Sequence, residues 1–218
     1  MSPYLPWINA WESAAFGPES FYGEFGSGGT NPYQHFDTAV RSDPDLSGKI
    51  FPYLLEAYEN CGSPAEFLIL DSGGSDGSLI ASVNTSIAEH GLDWNTQVFD
   101  VSSGDIRHIG IREEFGIVIA HELLDDIPAT IVEYDEFLTP RIVLVDPESG
   151  HEEMGEPLSG PELDWLKRWW PATVSHARRE IGTTRDHTWI QLVNIFGTGR
   201  AIAIDYSHSL AQRSQGLW

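Results

Sequence analysis

Three stretches of the 218-residue chain hold the side chains whose types and spacing could do chemistry. The densest is His121-Glu122-Leu123-Leu124-Asp125-Asp126-Ile127-Pro128, directly after the apolar run Gly116–Ala120. An imidazole beside a carboxylate can act as a base with its orienting partner, so His121 and Glu122 are candidates for proton transfer. The same residues also read as a hydrogen-bonded core histidine followed by Asp125 and Asp126 capping a short helix. A second stretch, Tyr33–Asp45, carries His35, Asp37, Arg41, Asp43 and Asp45. Its carboxylates and imidazole could accept a proton and Arg41 could hold an anion, or the stretch is an exposed loop whose Asp43 or Asp45 caps a helix over Ile50–Asn60. The third is Asp71-Ser72-Gly73-Gly74-Ser75-Asp76-Gly77, a glycine-rich reversal suited to close approach by a ligand.

The elements needed to position these stretches are those of an α/β fold with a mostly parallel, Rossmann-like sheet. Phe67–Leu70 is a short apolar run of the kind a central parallel strand needs. It leads through Asp71 and the glycine turn into a helix, capped by Ser75 or Asp76, that carries Leu79, Ile80, Val83 and Ile87. Thr96–Val101 reads as a second strand, ending at Asp100 where a nucleoside ribose would be held, and Gly116–Ala120 as a third. Ligands of such sheets bind in the crevice beyond the carboxyl ends of the strands, where all three stretches fall. Further along, Ala129–Tyr134 and Arg141–Val145 alternate as an inserted β-hairpin. Pro161–Ile181 has helical spacing with Pro171 dividing it, Arg185–Phe196 reads as a further helix, and Ala201–Asp205 as a strand leading to Tyr206. Met1–Asn31 shows no sustained period and reads as a loop or short helix. The expected division is a cap over residues 1–60 and a core over residues 61–218, with an insertion around residues 129–160.

Thirty-three acidic against twelve basic residues give a net charge of -21, which excludes nucleic acid as a natural partner and favours a cationic substrate. The single cysteine, Cys61, excludes an internal disulfide, and no Cys/His spacing suggests a metal site. No membrane span or secretory signal is visible, so a cytoplasmic protein is expected.

Taken together, Phe21-Tyr22-Gly23, His35-Phe36 with Thr38, the DSGGSDG turn, HELLDDIP, VLVDPESG with LDWLKRWWP, and IAIDYSH resemble the MidA-like family of S-adenosylmethionine-dependent methyltransferases, most of all its actinobacterial members. The likeness runs over nearly the whole chain in order. Mitochondrial members of that family methylate a protein arginine. The resemblance implies a donor held by Asp71, Gly73, Gly77 and Asp100.

Three departures point away from ordinary methyl transfer. Ser75 stands where the family has glycine, and His121-Glu122 where it usually has Asn-Glu. Family members also continue past the Asp205-Tyr206 strand with further sheet strands, so an open sheet edge covered by a second protein subunit is expected. In this respect the chain is similar to one half of the two-subunit enzymes of azabicyclic natural-product pathways such as azinomycin. That likeness implies aziridine closure: an amine attacks the neighbouring carbon and sulfate leaves, with no cofactor and a small cationic amine as substrate. Proton acceptance then falls to Asp37, Asp45, His35, His121 or Glu122, sulfate binding to Arg41, and substrate contacts to Asp71, Asp125 and Tyr206. The alternatives are a working methyltransferase using S-adenosylmethionine and a non-catalytic scaffold subunit.

Overall fold

The computed structural model describes residues 3–17, 37–74, 76–99 and 113–206. In chain order its elements are β1 (Leu5–Pro6), α1 (Trp7–Phe16), α2 (Ala39–Ser42), α3 (Leu46–Asn60), β2 (Leu68–Ser72), α4 (Ser78–Glu89) and β3 (Asn95–Phe99). There follow β4 (Glu113–His121), β5 (Thr130–Tyr134), β6 (Pro140–Val145), β7 (Glu152–Pro157), α5 (Gly160–Trp169), β8 (Arg178–Ile181), α6 (Thr183–Val193) and β9 (Phe196–Ile204). The described residues form two compact units, one of residues 3–17 and 127–187, the other of residues 37–126 and 188–206. This differs from a cap over residues 1–60. Helix α3 belongs with the parallel sheet, whereas α1 belongs with the segment after residue 127, which runs well beyond residue 160.

The second unit is built on a four-stranded sheet in the order β3-β2-β4-β9, parallel at every pairing. Its central strands are continuous apolar runs because both faces are covered: Ile69, Leu70, Ile117, Val118, Ile119 and Ala120 are all buried. On one face Ile69, Ile117 and Ile119 pack with Leu79, Ile80, Val83 and Ile87 of α4 and with Ile50, Phe51, Leu54 and Ala57 of α3. The apolar spacing in α4 is the helical one, so a single stripe meets the sheet. Phe51, Tyr58, Phe67 and Trp94 close this core as an aromatic cluster. Each fully buried apolar side chain contributes about 1.5–3 kcal/mol, so Leu54 and Ile69 are among the residues that fix where β2 ends.

The first unit is a five-stranded antiparallel sheet, larger than the expected hairpin. β5 and β6 form that hairpin, with Val132 opposite Ile142 and Tyr134 opposite Pro140. β1 and β7 add to β6, and β8 to β5. The helix expected over Pro161–Ile181 ends at Trp169. Pro171 lacks the N–H and disfavours helical backbone in the residue before it, so the chain leaves the helix and re-enters the sheet as β8. Within Met1–Asn31, expected as a loop or short helix, Trp7–Phe16 is a ten-residue helix. No helix among the described residues is long and apolar enough to cross a membrane.

Candidate active site at the strand ends

β2 ends on Asp71 and Ser72, both completely buried. Among the described residues neither Asp71 Oδ1, Asp71 Oδ2 nor Ser72 Oγ has a hydrogen-bond partner. Loss of hydration, reinforced by the charge of Asp76, pushes the Asp71 carboxyl up to about 7. The turn above folds closely over this carboxylate. A Cβ on Gly74 would lie 2.0 Å from Asp71 Oδ2, and Gly73 (φ 97°) and Gly77 (φ 68°) adopt the left-handed half of backbone space that favours glycine. Gly77 is the N-cap residue of α4, and Asp76 Oδ1 accepts the Ser78 N–H at 2.8 Å, the capping role expected of Asp76. Ser75 and Asp100 lie outside the described residues, as does His35.

β4 runs one residue further than its apolar stretch and ends on His121, which is buried with Nε2 unpartnered. Burial lowers the imidazole's pKa, against the opposing pull of Asp76 and Asp205. Glu122 does not orient it. That residue turns away at φ 46°, and its Oε1 accepts the Ala39 N–H at the start of α2 at 2.8 Å. The expected base and orienting pair is therefore corrected: the strand-end turn gives the Glu122 carboxylate to the Ala39 N–H and leaves His121 Nε2 without a partner among the described residues. Burial raises the Glu122 carboxyl, partly countered by the Ala39 N–H. The same bond joins two stretches 83 residues apart in sequence, bringing the start of α2 to the end of β4. Arg41 is itself ion-paired with Asp37 at 4.0 Å.

Residues 124–126 form a turn rather than a capped helix. The turn is held by Asp205, whose Oδ2 accepts the N–H groups of Leu124 at 2.9 Å and Asp125 at 3.3 Å. Asp125 is pushed up to about 7 by burial and then by Asp205 and Asp126. Tyr206 is exposed, and its hydroxyl is raised chiefly by Glu122. Asp205 is a strand-end carboxylate that sequence reasoning left out of the candidate site, although an acid closing a buried strand could have drawn attention to it. Asp45 occupies the N-cap of α3 without capping it through its side chain. Asp43 takes the local role, accepting the Asp45 N–H at 3.3 Å and pairing with Lys49 at 2.5 Å.

The strand ends thus carry a buried imidazole and several carboxyls raised by burial. Among the described residues no group of three or more His, Cys, Asp or Glu side chains could hold a metal ion. A cleft of ≈ 620 Å³ at the opposite, amino ends of β2, β3 and β4 is lined by Phe67, Phe115, Glu113 and Glu114 among others. It contains none of the unpartnered polar groups at the carboxyl ends.

Residues 88–216, more than half of the chain, match the family described as "Putative S-adenosyl-L-methionine-dependent methyltransferase". The chain belongs to this family. The fold agrees with a crystal structure from Burkholderia thailandensis described as a "likely methyl transferase" bound to S-adenosyl-homocysteine, at 18% identity and a TM-score of 0.72. The match covers 94% of this chain and 59% of that one. A native structure of an uncharacterized protein from the same organism also has a TM-score of 0.72 at 18% identity, over 98% of this chain and 61% of the other. The chain thus spans about 60% of the length of these neighbours. No curated protein matches. The family's description and the ligand of the first neighbour overturn the expectation of a chain that works without a cofactor.

Proposed function

We propose that the chain is an S-adenosylmethionine-dependent methyltransferase whose acceptor is a nitrogen nucleophile on a basic group, carried by a small molecule or by a protein arginine. The observation that carries this reading is the Asp71 carboxylate, buried without a partner beneath a turn that a single Cβ at Gly74 would block. A buried carboxylate without hydrogen bonds is costly, and a cationic ligand with N–H donors supplies what it lacks. The residues present therefore fit the donor. Asp71, Gly73 and Gly77 would hold it, with Asp100 on its ribose. When bound, S-adenosylmethionine supplies an electrophilic methyl group on a positively charged sulfur.

The remaining work belongs to the chain's own side chains. The carboxylates of Glu122, Asp125 and Asp205 favour a cationic group at the strand ends. Asp125 is the group poised to take the proton that the acceptor nitrogen loses as its bond to the methyl carbon forms, because its carboxyl titrates near neutral pH. Glu122 holds α2 against the strand end and so positions the acceptor side of the crevice. Ring closure with loss of sulfate has less support. Arg41, the cation assigned to the departing sulfate, already faces Asp37, and the surrounding carboxylates disfavour an anion.

Isothermal titration of S-adenosylmethionine and S-adenosylhomocysteine into the purified chain tests this reading. Micromolar binding, weakened at least tenfold by Asp71→Asn, is expected. Absence of binding by the unsubstituted protein would overturn it.

A further inference from the structure

His121 is left without a task by the reading above. In register, Asp71 of β2 stands beside Ile119 of β4. Side chains alternate along a strand, so His121, two residues beyond Ile119, projects from the same sheet face as Asp71. This is the face of Ile69, Ile117 and Ile119. The turn lies against both groups: a Cβ on Gly74 would sit 2.0 Å from Asp71 Oδ2, and one on Gly73 3.0 Å from the His121 carbonyl oxygen. Asp205 from the end of β9 is the other charge felt by His121, and Glu122 next to it faces away toward Ala39. Three buried acceptor positions thus lie under one turn without partners: Asp71 Oδ1, Asp71 Oδ2 and His121 Nε2. An ammonium group has three N–H donors and needs three acceptors when removed from water.

We propose that His121 is a specificity residue of the donor site, its Nε2 lone pair accepting one N–H of the ligand's α-ammonium group while Asp71 accepts the others. This rests on the methyltransferase reading and adds to it the part of the donor that the imidazole recognises. The role requires the neutral ring, which burial favours, with its proton on Nδ1. Protonation at Nε2 would remove the acceptor and place two cations together. Donor affinity therefore falls as pH drops through the histidine's lowered pKa.

The test compares three ligands by titration calorimetry: S-adenosylhomocysteine, its desamino analogue, and 5′-methylthioadenosine, which lacks the whole amino-acid moiety. Replacing a hydrogen bond to a charged group by a ring without an acceptor weakens binding by about tenfold to a hundredfold. His121→Phe is expected to lose that much for S-adenosylhomocysteine and less than about twofold for the other two. His121→Asn, whose side-chain oxygen can accept, recovers most of the loss and provides a milder substitution should the phenylalanine variant fold poorly. An equal loss for all three ligands, or no loss for any, overturns the proposal while leaving the methyltransferase reading intact. If the unsubstituted protein binds none of them, both fail together. A second readout is the ¹⁵N spectrum of His121, where S-adenosylhomocysteine should leave Nδ1 protonated and Nε2 bare. A proton on Nε2 in the complex would overturn the assignment.

Discussion

The two units treat their charges in opposite ways. In the antiparallel unit the carboxylates of Asp135, Glu133, Glu152 and Glu180 are matched by arginines. Asp135 accepts the N–H groups of Phe137 and Thr139 at 2.9 Å each and the Arg141 Nε–H at 2.8 Å. Arg178 bridges Glu133 and Glu152, and Arg185 grips Glu180 at 2.7 and 3.2 Å. Asp135 and Glu152 are accordingly held below the usual carboxylate range, in both cases chiefly by the hydrogen bond from an arginine. At the carboxyl ends of the parallel sheet the balance reverses: Asp71, Glu122 and Asp125 are all raised, in every case chiefly by burial. A matched network contributes to holding a fold. Asp71, buried with neither oxygen partnered among the described residues, destabilises it instead, and its persistence marks the place where a ligand completes the structure.

The sharpest way to break this contrast is Gly74→Ala. Its Cβ cannot coexist with Asp71 in the present geometry, so either the carboxylate or the turn must move. Donor binding is expected to fall by about a hundredfold or more, a misplacement effect of the size seen when binding geometry shifts by an ångström. Unchanged affinity by calorimetry would show that the turn does not form the donor site. Asp71→Asn comes next, read through stability in the absence of ligand. The Asp71 carboxyl is pushed up to about 7 in the folded chain, well above the ordinary aspartate value of about 3.9, so between these values the folded chain binds more protons than the unfolded one. Stability therefore declines as pH rises from about 4 through 7, by at most about 4 kcal/mol at 1.36 kcal/mol per pKa unit. The asparagine variant should flatten that slope in urea titrations at pH 5 and pH 8. A slope identical to the parent's would mean that Asp71 is not the group responsible.

Asp135→Ala probes the other side of the comparison. It strips three donors of their acceptor and should lower the melting temperature by several degrees, while leaving the affinity for S-adenosylhomocysteine within about twofold. Its pH sign is also opposite. The lowered pKa contributes stability above the ordinary carboxylate range that is lost as pH falls through it. A loss of ligand affinity comparable to that of Asp71→Asn would break the division of labour between the units.

The sequence made the parallel unit more readable than the antiparallel one for a physical reason. Leu79, Ile80, Val83 and Ile87 repeat at helical spacing and are all buried, and Gly116–Ala120 is apolar because both sheet faces are covered. β7, by contrast, is Glu152-Glu153-Met154-Gly155-Glu156-Pro157, an edge strand whose charges guard against further pairing and erase any alternation. Trp7–Phe16 lacks an acidic first turn and a side-chain cap, which left its helix without a start signal. Within the site, the position of Asp71 at a strand end could be read from the apolar run before it. The bond from Ala39 to Glu122, and with it the divorce of Glu122 from His121, depends on two segments meeting across 83 residues, and no local pattern encodes that meeting.

The smallest predicted effect compares two residues with the same backbone peculiarity, one in each unit. Leu138 at the hairpin turn has φ 59° and Glu122 has φ 46°, although neither is glycine. For most side chains this region costs roughly 1–2 kcal/mol, and asparagine tolerates it better. At Leu138, nearly half exposed, Asn relieves backbone strain and gives up little buried surface. Leu138→Asn should therefore stabilise the protein by a few tenths of a kcal/mol to about 1 kcal/mol. At position 122 the same substitution relieves the same strain but withdraws the acceptor from the Ala39 N–H, worth about 1 kcal/mol in the opposite direction. Glu122→Asn should consequently leave stability level or lower it slightly. It should also loosen α2, detectable as faster amide exchange at Ala39 and a higher KM for the methyl acceptor. Equal stabilisation at both positions would show that the Glu122 bond contributes nothing, and that its strained turn serves no purpose at the strand end.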